Sequence, residues 1–124
     1  MTPFAYREFF ALAEELALRE DQAARRTALS RAHYAVLGVA LRALPAAEQA
    51  QISPGQVHER TWTAYALAEA VTSRQVAGIG YRLRALRRRA DYRDDLEFSA
   101  RDVALTLAQA RQALQILEQH GYQP

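Results

Sequence analysis

The densest run of chemically capable side chains lies between Tyr81 and Phe98: Tyr-Arg-Leu-Arg-Ala-Leu-Arg-Arg-Arg-Ala-Asp-Tyr-Arg-Asp-Asp-Leu-Glu-Phe. Arg82, Arg84, Arg87, Arg88 and Arg89 follow one another with no acid between them. On a helix, Arg84 lies beside Arg87 and Arg88. Guanidinium groups fork onto phosphate oxygens, so Arg84, Arg87, Arg88 and Arg89 are the candidate contacts for nucleic acid or a partner. Asp91, Asp94, Asp95 and Glu97 follow at once. They offer a plainer alternative, a cationic helix end favoured by its dipole and paired with the next loop.

Other reactive templates are sparse. There is no cysteine, hence neither a thiol nucleophile nor a disulfide framework. His33, His58 and His120 are not spaced as a metal motif, and no H-E-x-x-H occurs, so neither a metal site nor a cofactor is expected. His33 falls on an inward helical stripe and reads as a satisfied core residue. His58, near a helix start, reads as structural or solvent-facing, and His120 as a C-terminal residue. Gly78-Ile79-Gly80 lacks the rest of any nucleotide fingerprint and reads as a packing feature.

The elements that must position these residues are helices. Glycine and proline are few and fall between stretches of helical period, which predicts five helices. The first spans about 3–20, with Thr2 as N-cap and Phe9, Leu12 and Leu16 on one face. The second spans about 21–44, with Leu29, His33, Val36 and Ala40 in a stripe, and Pro45 ends it. A loop over 45–55 leads to a third helix over about 55–72, with Val57, Thr61, Ala64, Ala68 and Val71 inward and Trp62 and Tyr65 adding bulk. The fourth covers about 73–90 with the seam Val76, Ile79, Leu83, Leu86 and Ala90. The last starts at Ser99, where Asp102 three residues on resembles a capping box. Val103, Leu107, Ala110, Leu114 and Leu117 carry its seam, and Gly121 stops it. Short connections between long amphipathic helices predict an all-α, antiparallel bundle of four to five helices.

All of this fits one domain over residues 1–124. Half the residues are hydrophobic, which argues against disorder. All 16 basic residues are arginine, yet the formal charge is only +2, so any polyanion footprint must be a local patch. No apolar run approaches the roughly 18 residues of a membrane span. Met1-Thr2-Pro3-Phe4 shows no basic region followed by an apolar run, so a cytoplasmic location is expected.

Two segments together resemble the HEPN superfamily of helical domains. Arg26-Thr-Ala-Leu-Ser-Arg-Ala-His-Tyr-Ala-Val-Leu is similar to that family's R-x-A-x-S-R-A-Y-Y-A second helix. Leu86-Arg-Arg-Arg-Ala-Asp-Tyr with Leu96-Glu-Phe-Ser resembles the L-R-x-x-A-D-Y and E-F-S stretch of a largely uncharacterised branch. Between them, Val57-His58-Glu59-Arg60 looks like the H-R opening that branch's third helix. The likeness runs over about residues 20–119. It implies a helical bundle, usually dimeric. Many HEPN proteins are metal-independent ribonucleases with Arg, four to six residues, then His. Others are inactive, and some pair with a small nucleotidyltransferase as a toxin–antitoxin module.

The chain departs from that pattern at the decisive place. Arg87 fits the family's arginine, but Tyr92 stands where the histidine belongs. Tyrosine, with a reference pKa near 10, is a poor general base at neutral pH. The pair Arg26 and His33 lies outside the motif position. The reading is a homodimeric HEPN-like binding protein of a toxin–antitoxin or defence system, without ribonuclease activity. It would bind a nucleotidyltransferase, another protein, or RNA. The alternative is a divergent ribonuclease toxin using Arg87, Asp91 and Tyr92, helped by a histidine from elsewhere in the dimer.

Overall fold

Asp21 opens the longest apolar stretch by accepting a hydrogen bond from the Ala24 N–H at 3.1 Å, so the chain enters a helix immediately after it. The computed structural model describes residues 2–124, and every regular element in them is helical. They are α1 (Arg7–Leu16), α2 (Gln22–Ala43), α3 (Ala46–Ala50), α4 (Val57–Leu67), α5 (Val71–Tyr92) and α6 (Ala100–His120), with a 3-10 turn at Pro54–Gln56 before α4. The expected count of four to five is thus one short, because the segment read as a loop folds one turn of helix, α3.

Helix α2 is the hub. Leu29, His33, Val36 and Ala40 are all fully buried along it, as their spacing predicts. It packs against α1, α4, α5 and α6. Its start lies beside the end of α5, where Arg26 donates to the Ala90 carbonyl at 2.9 Å, so those two helices run antiparallel. With α6 it runs parallel, which short connections did not predict. The Gln22 side-chain amide donates to the Phe98 carbonyl (2.8 Å) and accepts from the Phe98 N–H (2.9 Å), holding the starts of α2 and α6 together.

Two glycines set helix separations. A Cβ on Gly38 would stand 2.1 Å from the Tyr6 ring, so α1 enters directly over α2. A Cβ on Gly80 would meet the Trp62 indole at 2.6 Å, and this contact seats α4 on α5. Gly78 has no such neighbour; its nearest atom is the end of Arg82 at 3.8 Å. Only Gly80 is therefore the packing feature expected of the pair.

Several boundaries differ from expectation. Helix α1 starts at Arg7 and ends at Leu16, and Thr2 does not cap it. Phe4, Tyr6 and Phe9 instead form a ring cluster with centroids 4.9–6.2 Å apart, which holds the first residues in a non-helical path. Phe10 and Ala13 are the buried residues of α1, whereas Leu12 is 40% exposed. Helix α4 stops at Leu67, and the chain turns through Ala68–Ala70 although these residues favour helix. Packing overrides the weak local propensity. Val71 begins α5 and is exposed rather than inward.

The α5 seam is also shifted. Val76, Ile79, Leu83 and Ala90 are buried as expected, but Leu86 is only half-buried and Arg87 takes its place in the core. With Gly80 fixed against Trp62, the inward line runs Gly80, Leu83, Arg87, Ala90 and leaves Leu86 to one side. Helix α6 meets every expectation. The Ser99–Asp102 capping box is formed in both directions, the five seam residues are buried, and Gly121 ends the helix at φ 61°.

Candidate nucleic-acid interface

Three helices converge on one cluster of polar side chains. From the middle of α2 come Ser30, Arg31, His33 and Tyr34. His58 comes from the first turn of α4. Arg84, Arg87 and Asp91 come from the last turns of α5, spaced so that all three face α2 and α4.

The His33 ring is fully buried and stacks on His58, with centroids 5.1 Å apart and planes within 4° of parallel. Tyr34 meets both rings edge-on, at 4.9 Å from His33 and 5.8 Å from His58. The Arg87 guanidinium lies 5.6 Å from the Tyr34 centroid and pairs with Asp91 at 3.5 Å. Ser30 donates weakly to the same Asp91 carboxylate, also at 3.5 Å. Arg31 is sandwiched between Phe9 and Tyr34, 4.8 and 4.9 Å from their centroids.

Buried polar atoms normally find partners, and here several do not. Both His33 ring nitrogens, Nδ1 of His58, and Nε of Arg84 and Arg87 are buried without a hydrogen bond. Nε of a guanidinium is always a donor, so Arg84 and Arg87 each keep one donor unpaired and shielded from water within the cluster. Burial pushes the His33 pKa down to about 3, with further depression from His58, Arg87, Arg84 and Arg31. Burial also lowers His58, followed by Arg87 and Arg84. Both imidazoles are neutral at pH 7, and the fixed positive charge around them comes from arginine alone. Such a surface is matched by an anion whose oxygens accept hydrogen bonds.

The arginine block thus divides. Arg87 is buried and Arg84 half-buried in the cluster, Arg82 donates to Gln109 at 3.3 Å, and Arg88 and Arg89 are exposed. Of the five, only Arg87 forms an ion pair among the described residues. The acids of the following loop are used differently. Asp95 pairs with Arg93 at 2.8 Å, and the Arg93 hydrogen bond holds its carboxyl below the usual range.

Tyr92 is 74% exposed at the end of α5, with its ring 5.9 Å from the Arg87 guanidinium. It stands outside the histidine cluster. His33 is a core residue as expected, but an unsatisfied one. His58 joins it, and His120 is exposed at the far end of α6. Arg26 has no contact with His33; it bonds the Ala90 and Leu96 carbonyls and lies 5.4 Å from the Phe98 centroid. With Gln22 and Arg25 it staples the loop between α5 and α6, which gives the Arg26 and Leu96-Glu-Phe motif residues a structural role.

The histidine pair is what sequence reasoning missed. Its members stand 25 positions apart, and periodicity places each on a helix face without saying which faces meet. No helix among the described residues is long and apolar enough to cross a membrane. Searches against protein-family models, curated proteins and solved structures find no match to this chain.

Proposed function

We propose that the chain is a HEPN-like binding protein that takes single-stranded RNA along α5, as a homodimer in a toxin–antitoxin or defence setting. One observation carries this reading. Arg84, Arg88 and Arg89 form no ion pair among the described residues, although Asp91 lies on the same helix and Asp94, Asp95 and Glu97 follow in the next loop. A helix end that only pairs with its own acids would not leave them so. Half-buried Arg84 and buried Arg87 carry the positive charge of the exposed arginines into the cluster. The dimer and its setting rest on the sequence resemblance, and light scattering at about twice the 13.9 kDa chain mass is the expected result.

RNA binding is tested by fluorescence anisotropy with a single-stranded oligoribonucleotide across a salt series. Affinity should fall steeply with salt, and each of Arg88→Ala and Arg89→Ala should lower the log–log slope by about 0.7. Absence of binding at low salt would sink the reading and turn attention to a protein partner such as a nucleotidyltransferase. An unchanged slope in the double variant would return these arginines to a structural role.

A second reading, a divergent metal-independent ribonuclease, is favoured by His58. Its half-buried, neutral imidazole sits beside two arginines, whereas the Tyr92 phenol is exposed at the helix end. A neutral imidazole can accept a proton from a ribose 2′-hydroxyl while arginine holds the phosphate.

A further inference from the structure

Beside the histidine cluster, the start of α1, the middle of α2 and the entry to α4 enclose a cleft of about 240 Å³. Its walls include Tyr6, Tyr34, Gly38, Pro54, Val57 and His58. Gly38 leaves room for the Tyr6 ring at one end. At the other end, Tyr34 and His58 join the cleft to the Arg87 guanidinium. Each tyrosine wall carries an arginine: Arg42 lies 5.3 Å from the Tyr6 centroid, and Arg31 lies 4.9 Å from that of Tyr34. His33 occupies one face of the His58 ring, so the other face is what His58 can offer a ligand.

The cleft is smaller than the roughly 300–1,000 Å³ of sites for drug-sized ligands, so one planar ring fits it better than an extended molecule. Its lining sets the rings of Tyr6, Tyr34 and His58 among aliphatic Leu37, Leu41 and Val57, and its rim is cationic. The positive charges of Arg84 and Arg87 act on His58 at this end, and the Arg87 guanidinium lies against Tyr34. An occupant must therefore present a flat ring and, within one bond rotation or two, an anion. A nucleotide unit of single-stranded RNA does this, because its base can swing out and stack while its phosphate meets arginine.

We infer that this cleft holds one unstacked base of a single-stranded RNA, with His58 as the stacking platform and Arg84 and Arg87 on the adjoining phosphate. The inference rests on the RNA reading above and adds to it a site for the base. Binding then has two parts, a salt-sensitive part from the α5 arginines and a base-dependent part from the cleft.

The test compares a hexauridylate with its abasic counterpart, which has the same sugar–phosphate backbone and charge. Wild-type protein should bind the base-bearing strand about ten-fold more tightly. His58→Ala, checked for an unchanged circular dichroism spectrum, should abolish that preference. Equal binding of both strands by wild type would overturn the cleft and leave the RNA reading standing. Binding of neither at low salt would remove both. A preference that survives His58→Ala would place the base elsewhere and overturn the inference. A second measurement needs no variant: uridine monophosphate added to wild type should shift the ring-proton resonances of His58 and Tyr34. Shifts confined to other residues would count against the cleft.

Discussion

His33 and His58 lie face to face, their centroids 5.1 Å apart, and burial lowers the pKa of both, with Arg87 and Arg84 adding to it. The pair is compatible with burial only while both rings are neutral. Two imidazolium ions at this distance, beside Arg84 and Arg87, would repel strongly in a site shielded from water.

Stability should therefore depend on pH in one direction. The folded-state pKa of His33, about 3, lies below the ordinary value of 6.5. The unfolded chain thus binds the extra proton first as pH falls. The stabilisation is complete above about pH 6.5 and is lost progressively as pH falls toward 3, at up to about 1.4 kcal/mol per pH unit. Denaturant melts between pH 7.5 and 4.5 should show this slope, and His33→Phe should flatten it. An equally steep slope in the variant would assign the effect to other groups.

The two neighbouring glycines of α5 should respond oppositely to alanine. At Gly78 the added methyl meets only the flexible end of Arg82 at an ordinary contact distance of 3.8 Å, so Gly78→Ala should stabilise by about 0.4–1 kcal/mol. At Gly80 it meets the fully buried Trp62 indole at 2.6 Å, so Gly80→Ala should destabilise by about 1–3 kcal/mol. Paired urea melts measure both. The same sign for the two would mean that α4 does not seat on Gly80.

The seam of α5 makes a similar contrast. Leu83 is fully buried, so Leu83→Ala should cost about 2–5 kcal/mol. Leu86 is only half-buried, and Leu86→Ala should cost clearly less. Arg87→Ala strips the buried partner from Asp91 and should destabilise as well as weaken binding. For that reason Arg88 and Arg89 are the cleaner probes of RNA affinity. Equal losses at Leu83 and Leu86 would restore the unshifted seam.

Purified protein should not cleave RNA above background without metal. Tyr92 is exposed at the helix end and lies outside the histidine cluster, and a tyrosine is a poor general base at neutral pH. If cleavage is observed, it should disappear in His58→Ala and persist in Tyr92→Phe. Loss in Tyr92→Phe instead would assign the proton transfer to the tyrosine and contradict the geometry of the cluster.

The all-helical class, the inward stripe of α2 and both ends of α6 could be read in the residues themselves. Those features are local. Helical period, a capping box within four residues and a glycine stop depend on neighbours along the chain. The burial of Arg87 in place of Leu86 could not be read that way. Both positions lie near the edge of the same face, and the rotation was decided by Trp62 lying on Gly80. Nor could the histidine pair. His33 and His58 belong to different helices, and their stacking follows from how α4 packs across α2, a relation between distant segments. The residue types that could meet an anion were present in the sequence; only the tertiary packing decided which of them face one another and which face water.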